Sequence, residues 1–235
     1  MTIGSVLDET WTLYTRFFLR FFAIALGVFA VANLLYALLL EVLGSGSSGV
    51  SLLVAVLTLA IGTVGTFWLQ GVFVHAVQDV RAGAGPPSGI AELYRRVTPV
   101  LGALVGAGLL AGIGIAVGLL LVVPGLVLLT WWAFISPVIV LERVRVRASF
   151  GRSRRLVRGN GWTVFGLIVI TAVLSAVAGL LLQAAFSSFP RFVEILVGGT
   201  IAGAAVAPFS AIALTLAYLR VRELEVGAAT APTAP

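Results

Sequence analysis

The sequence predicts an all-α protein: a polytopic membrane helical bundle of six transmembrane helices. They pair as three hairpins, each preceded by a short interfacial amphipathic helix. Three observations predict this. Of 235 residues, 60% are hydrophobic and 10% charged, where a soluble domain carries about 25% charged residues. Apolar runs of about 20 residues, long enough to cross a hydrocarbon core, recur along the chain. The runs lack strand alternation, and in lipid only helices or closed barrels satisfy every backbone group.

The mean hydropathy is +1.13. All 15 cations are arginine and the net charge is +6. The arginines flank the apolar runs, so the positive balance serves topology and lipid contact and does not imply nucleic acid. There is no cysteine, which excludes disulfides, thiol catalysis and thiolate metal sites.

Residues 3–18 read as the first interfacial helix. Ile3, Val6, Leu7, Thr10, Trp11, Leu13, Tyr14 and Phe17 share one face, and Ser5, Asp8, Glu9, Thr12 and Arg16 the other. Trp11 and Tyr14 suit the headgroup zone. The first span is expected at 21–40. Ala30-Val31-Ala32 imitates a signal-peptidase site, but the leading segment is acidic and amphipathic and lacks a short basic start, so the run reads as a span. Residues 41–49 form a short polar loop without positive charge, and 50–77 the second span, with Gln70 and the only histidine, His75.

Ser88 follows two prolines and is a candidate N-cap. Ile90, Leu93, Tyr94 and Val97 behind it share a face, giving a second interfacial helix. The third span, 100–123, holds Gly102, Gly106, Gly108, Gly112, Gly114 and Gly118. Its Gly-x-x-x-Gly pairs point in different directions, so it is predicted to be a central helix approached closely at Gly102, Gly106, Gly112 and Gly118. Pro124-Gly125 is read as a tight turn into the fourth span, 126–141, where Pro137 predicts a kink. A basic crossing at 142–161 leads to the fifth span, 162–182. The sixth, 192–219, contains a second predicted kink at Pro208. Residues 1–226 are thus one integral membrane domain, and 227–235, small and polar, a disordered tail.

Fourteen of the 15 arginines fall on one side of this arrangement and only Arg191 on the other. The positive-inside rule then places both termini in the cytoplasm of a multi-pass cell-membrane protein. Interfacial helix plus two spans occurs three times, at 3–77, 88–141 and 149–219. Ser5…Leu13-Tyr14 is echoed by Ser88…Leu93-Tyr94 and, more loosely, by Ser149…Leu156. Either an internal duplication or three generic helical hairpins would give this pattern.

Four features in order carry a resemblance. They are the opening helix with Trp11 and Tyr14; the Gly-Pro-Pro-Ser turn before Leu93-Tyr94; Phe134-x-x-Pro137-x-x-x-Leu141-Glu142 followed by Ser153-x-x-Leu156-Val157-Arg158-Gly159; and Pro208-Phe209…Tyr218-Leu219-Arg220-Val221-Arg222. Together they resemble the six-span family that includes the membrane domain of glycerophosphoryl diester phosphodiesterases and YciC-type membrane proteins. The resemblance implies the fold and no particular activity. Relatives often carry Asp where Tyr218 stands, so no role of that Asp is carried over.

No residue pattern marks a catalytic site, and no cofactor or metal is expected. His75 stands without a second histidine or a cysteine, a poor metal site. The Ser45–Ser48 cluster lies at the opposite end of its span from His75. A phosphodiesterase would need a soluble domain with several His and acidic ligands, which no part of this chain supplies. Polar residues inside the spans, among them Asn33, Thr58, Gln70, Thr130, Ser136, Thr171, Ser175, Thr200 and Ser210, are uncharged. They are expected to bond between helices; a coupled transporter usually needs ionisable groups at mid-depth.

The candidate functional element is the basic crossing, where seven arginines fall between positions 143 and 158. In helical phase Arg147, Arg154, Arg155 and Arg158 lie within about 100° of arc, with Ser149, Ser153 and Leu156 facing away. Such a stripe is expected to bind anionic membrane lipid. It would alternatively meet an acidic membrane protein partner, or act only as a topology signal. A non-catalytic lipid- or partner-organising module is the leading expectation; the alternative is a transporter or channel subunit for a small or lipid-like substrate.

Overall fold

The computed structural model describes residues 2–44, 48–83 and 86–230. Most of the predicted outer serine cluster and the last five residues lie outside them. Among the described residues all regular structure is helical, and six helical segments are long and apolar enough to cross a membrane. The chain is an integral membrane protein by that criterion.

The interfacial helix α1 (Ile3–Arg16) passes through a single non-helical residue, Phe17, into α2 (Phe18–Gly44). Then follow α3 (Ser48–Arg81) and α4 (Ile90–Val97), the second amphipathic helix. A 3₁₀ turn at Thr98–Val100 leads into α5 (Leu101–Leu119). The fourth span is two helices, α6 (Val123–Trp131) and α7 (Ile135–Glu142). The arginine helix α8 (Val146–Val157) precedes α9 (Gly161–Ala184). The short α10 (Arg191–Val193) and a π-helical turn (Glu194–Gly198) open onto α11 (Gly199–Thr230).

Packing is uneven along the bundle. The fully buried large side chains Phe21, Phe73, Leu93, Phe134, Ile139, Ile212, Leu216 and Tyr218 gather toward the end where α1, α4 and α8 lie. Leu52, Leu53, Leu59, Ile113, Leu120, Leu180 and Leu181, toward the other end, are exposed. Apolar surface facing lipid costs nothing there, because the tails are as apolar as leucine.

Two tyrosines pin interfacial helices to spans. The Tyr14 hydroxyl donates to the Ala205 carbonyl of α11 at 2.7 Å, and the Tyr94 hydroxyl to the Ile24 carbonyl of α2 at 2.7 Å. These are equivalent residues of the first two sequence echoes. In the third unit the pin is a serine: Ser153 of α8 donates to the Trp131 carbonyl at 2.7 Å and accepts from the Phe134 amide at 3.2 Å.

Several expectations need correction. The fourth span breaks at Trp132–Phe134 and not at Pro137, which sits in the first turn of α7. The cause is still Pro137: it offers no amide to the carbonyl four residues back, Ala133, and its ring crowds that carbonyl. Ser153 satisfies two backbone groups beside the gap. At Pro208 the helix continues unbroken. The distortion of the sixth span is the wide turn at Glu194–Gly198, ten or more residues earlier. Pro124 and Gly125 belong to the first turn of α6 and not to the loop, which is 120–122. Ser88 does not cap α4, whose N-cap is Gly89; its hydroxyl donates instead to the Asp79 carboxylate at 2.5 Å. Residues 227–230, read as tail, continue α11.

The glycines of α5 also sort differently. A methyl built at Gly102 or Gly112 meets nothing, and at Gly106 it makes an ordinary 3.8 Å contact with Val146. The close approaches are at Gly118, where it would meet the Gly125 backbone at 2.9 Å, at Gly114 against Trp132 at 2.7 Å, and at Gly108 against the Phe67 ring. Gly118 is approached because α6 folds straight back onto it, Gly114 by Trp132 just past the end of α6, and Gly108 by Phe67 of α3.

Leucine at Gly118 or Gly125 forces two backbones apart, an overpacking cost of about 1–3 kcal/mol or more. Both variants are expected to lose folded yield in detergent, measured by monodisperse recovery on size exclusion. Gly112→Leu, pointing to open space, is expected to match wild type. Equal recovery of all three would remove the α5–α6 contact from the fold.

Candidate functional site

The four predicted stripe residues lie together and point outward. Arg147, Arg154, Arg155 and Arg158 are exposed, while Ser149, Ser153 and Leu156 on the other side of α8 are buried at 0%, 0% and 3%. The buried face is held by Ser153 at the α6–α7 break, while the buried Ser149 hydroxyl is satisfied within α8 by the Val146 carbonyl at 2.6 Å. The Arg154 guanidinium lies over the Trp131 ring, 4.0 Å from its centroid. That contact holds the side chain while leaving guanidinium N–H groups available.

Arg152 behaves differently. At 100° per residue it sits about 140° from Arg147, turned toward the buried face. It donates to Glu142 at 2.8 Å and, through both terminal nitrogens, to Glu225 at 2.6 Å. The Tyr218 hydroxyl donates to the same Glu142 at 2.9 Å. The hydrogen bonds from Arg152 to Glu225 and then to Glu142 hold the guanidinium pKa above its already high ordinary value. This cluster ties α8 to α7 and α11. Sequence reasoning missed it; the available signal was Glu142, an acid at the head of the arginine run.

Two further networks close the same end. Glu9 of α1 pairs with Arg81 of α3 at 3.2 Å and with Arg220 of α11 at 2.5 Å, and Arg81 also reaches Glu223 at 3.1 Å. Asp79 takes Ser88 and Arg96, and Arg96 also pairs with Glu92. Among the described residues no carboxylate lies within ion-pair distance of Arg147, Arg154, Arg155 or Arg158. Glu9, Asp79, Glu142 and Glu225 are thus matched to particular arginines, whereas the stripe arginines form no direct ion pair among the described residues, Arg155 feeling Glu225 only at longer range.

Two concave spaces accompany these charges. One, of about 230 Å³, lies between α2, α3, α7 and α11 and is lined by Thr66, Gln70, Ser136, Ser210 and Thr215 among apolar neighbours. The Ser136 hydroxyl donates to Gln70 Oε1 at 2.8 Å. The other, of about 670 Å³, lies between α6 and α9 beside Trp131. Of the polar residues within spans, Gln70 with Ser136 and Asn33 with Thr200 bond between helices. Thr130 and Thr171 donate to carbonyls of their own helices, and the buried Ser175 hydroxyl has no partner. His75 is half-buried near the end of α3, away from both spaces. Pro137 and Pro208 belong to the scaffold, Pro137 lining the smaller cavity.

No family model, no curated protein and no solved structure matches this chain.

Removing Arg152 strands Glu142 and Glu225 at a partly buried site. Arg152→Ala is expected to cost about 1–2 kcal/mol after allowance for solvent screening, read as a lower melting temperature in detergent. Arg152→Lys should recover only part of it, because an ammonium cannot fork between two carboxylates. Full recovery by Lys would mean that charge alone matters there.

Proposed function

We propose that the protein is a non-catalytic membrane module of the cell membrane, with both termini cytoplasmic, that binds anionic lipid headgroups through the outward face of α8. The observation that carries this reading is the sorting of charges. Arg81, Arg95, Arg96, Arg152 and Arg220 each have carboxylate partners; among the arginines with no ion pair in the described residues, which also include Arg143, Arg145 and Arg222, the four stripe residues stand together on one exposed face. Arginine suits phosphate because its planar fork makes two hydrogen bonds. The resemblance to the six-span family supports the fold half of this reading and adds no activity.

A juxtamembrane arginine contributes about 1 kcal/mol of attraction to an anionic surface. Changing Arg154, Arg155 and Arg158 to Gln should therefore weaken co-purification of phosphatidylglycerol in native mass spectrometry. The loss should be graded and should shrink as salt rises. Equal retention by variant and wild type at low and high salt would leave the stripe as a topology signal.

Orientation has its own test. The chain has no native cysteine, so single cysteines report cleanly. Ser188→Cys is expected to react with an impermeant thiol reagent in intact cells and Ala82→Cys only after lysis. The inverse labelling would turn the protein over.

The second reading is a transporter or channel subunit, and the cavity around Gln70 and Ser136 is what favours it. No residue lining that cavity is charged, so it would pass a small uncharged solute. Solute flux in proteoliposomes that Gln70→Leu abolishes would establish it over the first.

A further inference from the structure

Resting on the lipid-binding reading above, we propose that the groove between α6 and α9 seats an acyl chain of an anionic diacyl phospholipid whose phosphate is held by Arg154 and Arg158. The groove is walled by Val123, Leu126, Val127 and Phe165 and measures about 670 Å³, within the roughly 300–1,000 Å³ range of small-molecule sites. Thr130, Asn160 and Thr163 are its polar lining residues, and the aliphatic and aromatic side chains that make up most of the rest suit a hydrocarbon.

The rim supplies the other half of an amphiphile. Trp131 lines the groove and carries Arg154 on its ring at 4.0 Å. Arg158 directly precedes Gly159, which also lines the space. A methyl at Gly159 would meet nothing within 4 Å, and its φ of +92° turns the chain sharply from α8 into α9. Trp162, 87% exposed, stands on the same rim and is the residue type that settles at the headgroup level. Two arginines without an ion pair, two tryptophans and a largely apolar trough thus meet at one place. That order is the order of a phospholipid: phosphate, interfacial region, tail.

A soluble phosphate would use the arginines and ignore the trough. A hydrophobic helix of another protein would use the trough and leave the arginines unmatched. The diacyl phospholipid satisfies both.

The test uses the intact protein in detergent and phosphatidylglycerol of two kinds, palmitoyl-oleoyl and dihexanoyl, in native mass spectrometry. Wild type should retain the long-chain lipid in preference to the short. Val127→Trp fills the trough and should lower long-chain retention roughly tenfold, as displacing about two buried methylenes would, while leaving the weaker, salt-sensitive dihexanoyl binding unchanged. Leu180→Trp, on an exposed part of α9, should behave as wild type. The pair Arg154→Gln and Arg158→Gln should lose both lipids.

If Val127→Trp keeps the long-chain lipid while the arginine pair loses it, the stripe binds headgroups and the groove assignment falls. If the arginine pair keeps it too, the lipid reading of the stripe falls with it. Should Val127→Trp fail to fold, wild type with a phosphatidylglycerol bearing a diazirine on its tail decides the matter. Crosslinks concentrated at Val127 and Phe165 are expected. Crosslinks spread evenly over exposed residues such as Leu109 and Leu180 would overturn the site.

Discussion

A broken helix in a membrane needs something to hold its loose backbone groups, and here that something is one serine hydroxyl. Ser153 donates to the Trp131 carbonyl and accepts from the Phe134 amide, so the gap that Pro137 opens is not left unsatisfied in a medium without water. Much follows from it. It draws α8 inward along Ser149, Ser153 and Leu156, which turns the opposite face and its arginines outward. It brings Arg154 over Trp131. Proline, serine and arginine, far apart in chemistry, share one local geometry.

The membrane class, the six spans and the three amphipathic lead-ins were legible because each rests on periodicity or length, which are local properties. The stripe on α8 was legible for the same reason: its phase is set within twelve residues. Contacts between segments were not. That Gly118 meets Gly125 while Gly112 faces open space depends on where α6 lands after the turn, and no spacing within α5 encodes that. Glu225 and Arg152 are 73 positions apart, so their pairing had no sequence signal beyond complementary charge. Ser88 was misread because a capping hydroxyl and an acid-binding one look alike until the neighbour, Asp79, is known.

The three units hold their lead-in helices by one device. Tyr14 and Tyr94 donate to carbonyls of spans from other units at the same distance, 2.7 Å. In each case a hydroxyl reaches a helix backbone already bonded along its axis, using the second lone pair of the carbonyl. Between helices in lipid, where no hydrophobic driving force operates, such bonds act beside van der Waals packing to fix how the helices meet. The third unit keeps the device and changes the residue: Ser153 both donates to the Trp131 carbonyl and accepts from the Phe134 amide across a break.

The uneven distribution of buried side chains has a mechanical meaning. Near the arginine end, helices are held by ion pairs, hydroxyl pins and large interlocked side chains. Toward the far end, Leu52, Leu59, Leu120 and Leu180 present themselves to the solvent, and that solvent is lipid. Polar cross-links are thus concentrated at one face of the bilayer, while the other meets the tails largely through aliphatic side chains, apart from close helix contacts such as Gly118 with Gly125. A change in bilayer thickness would therefore be felt first at the leucine-rich face, where the lipid itself is the larger part of each helix's surroundings.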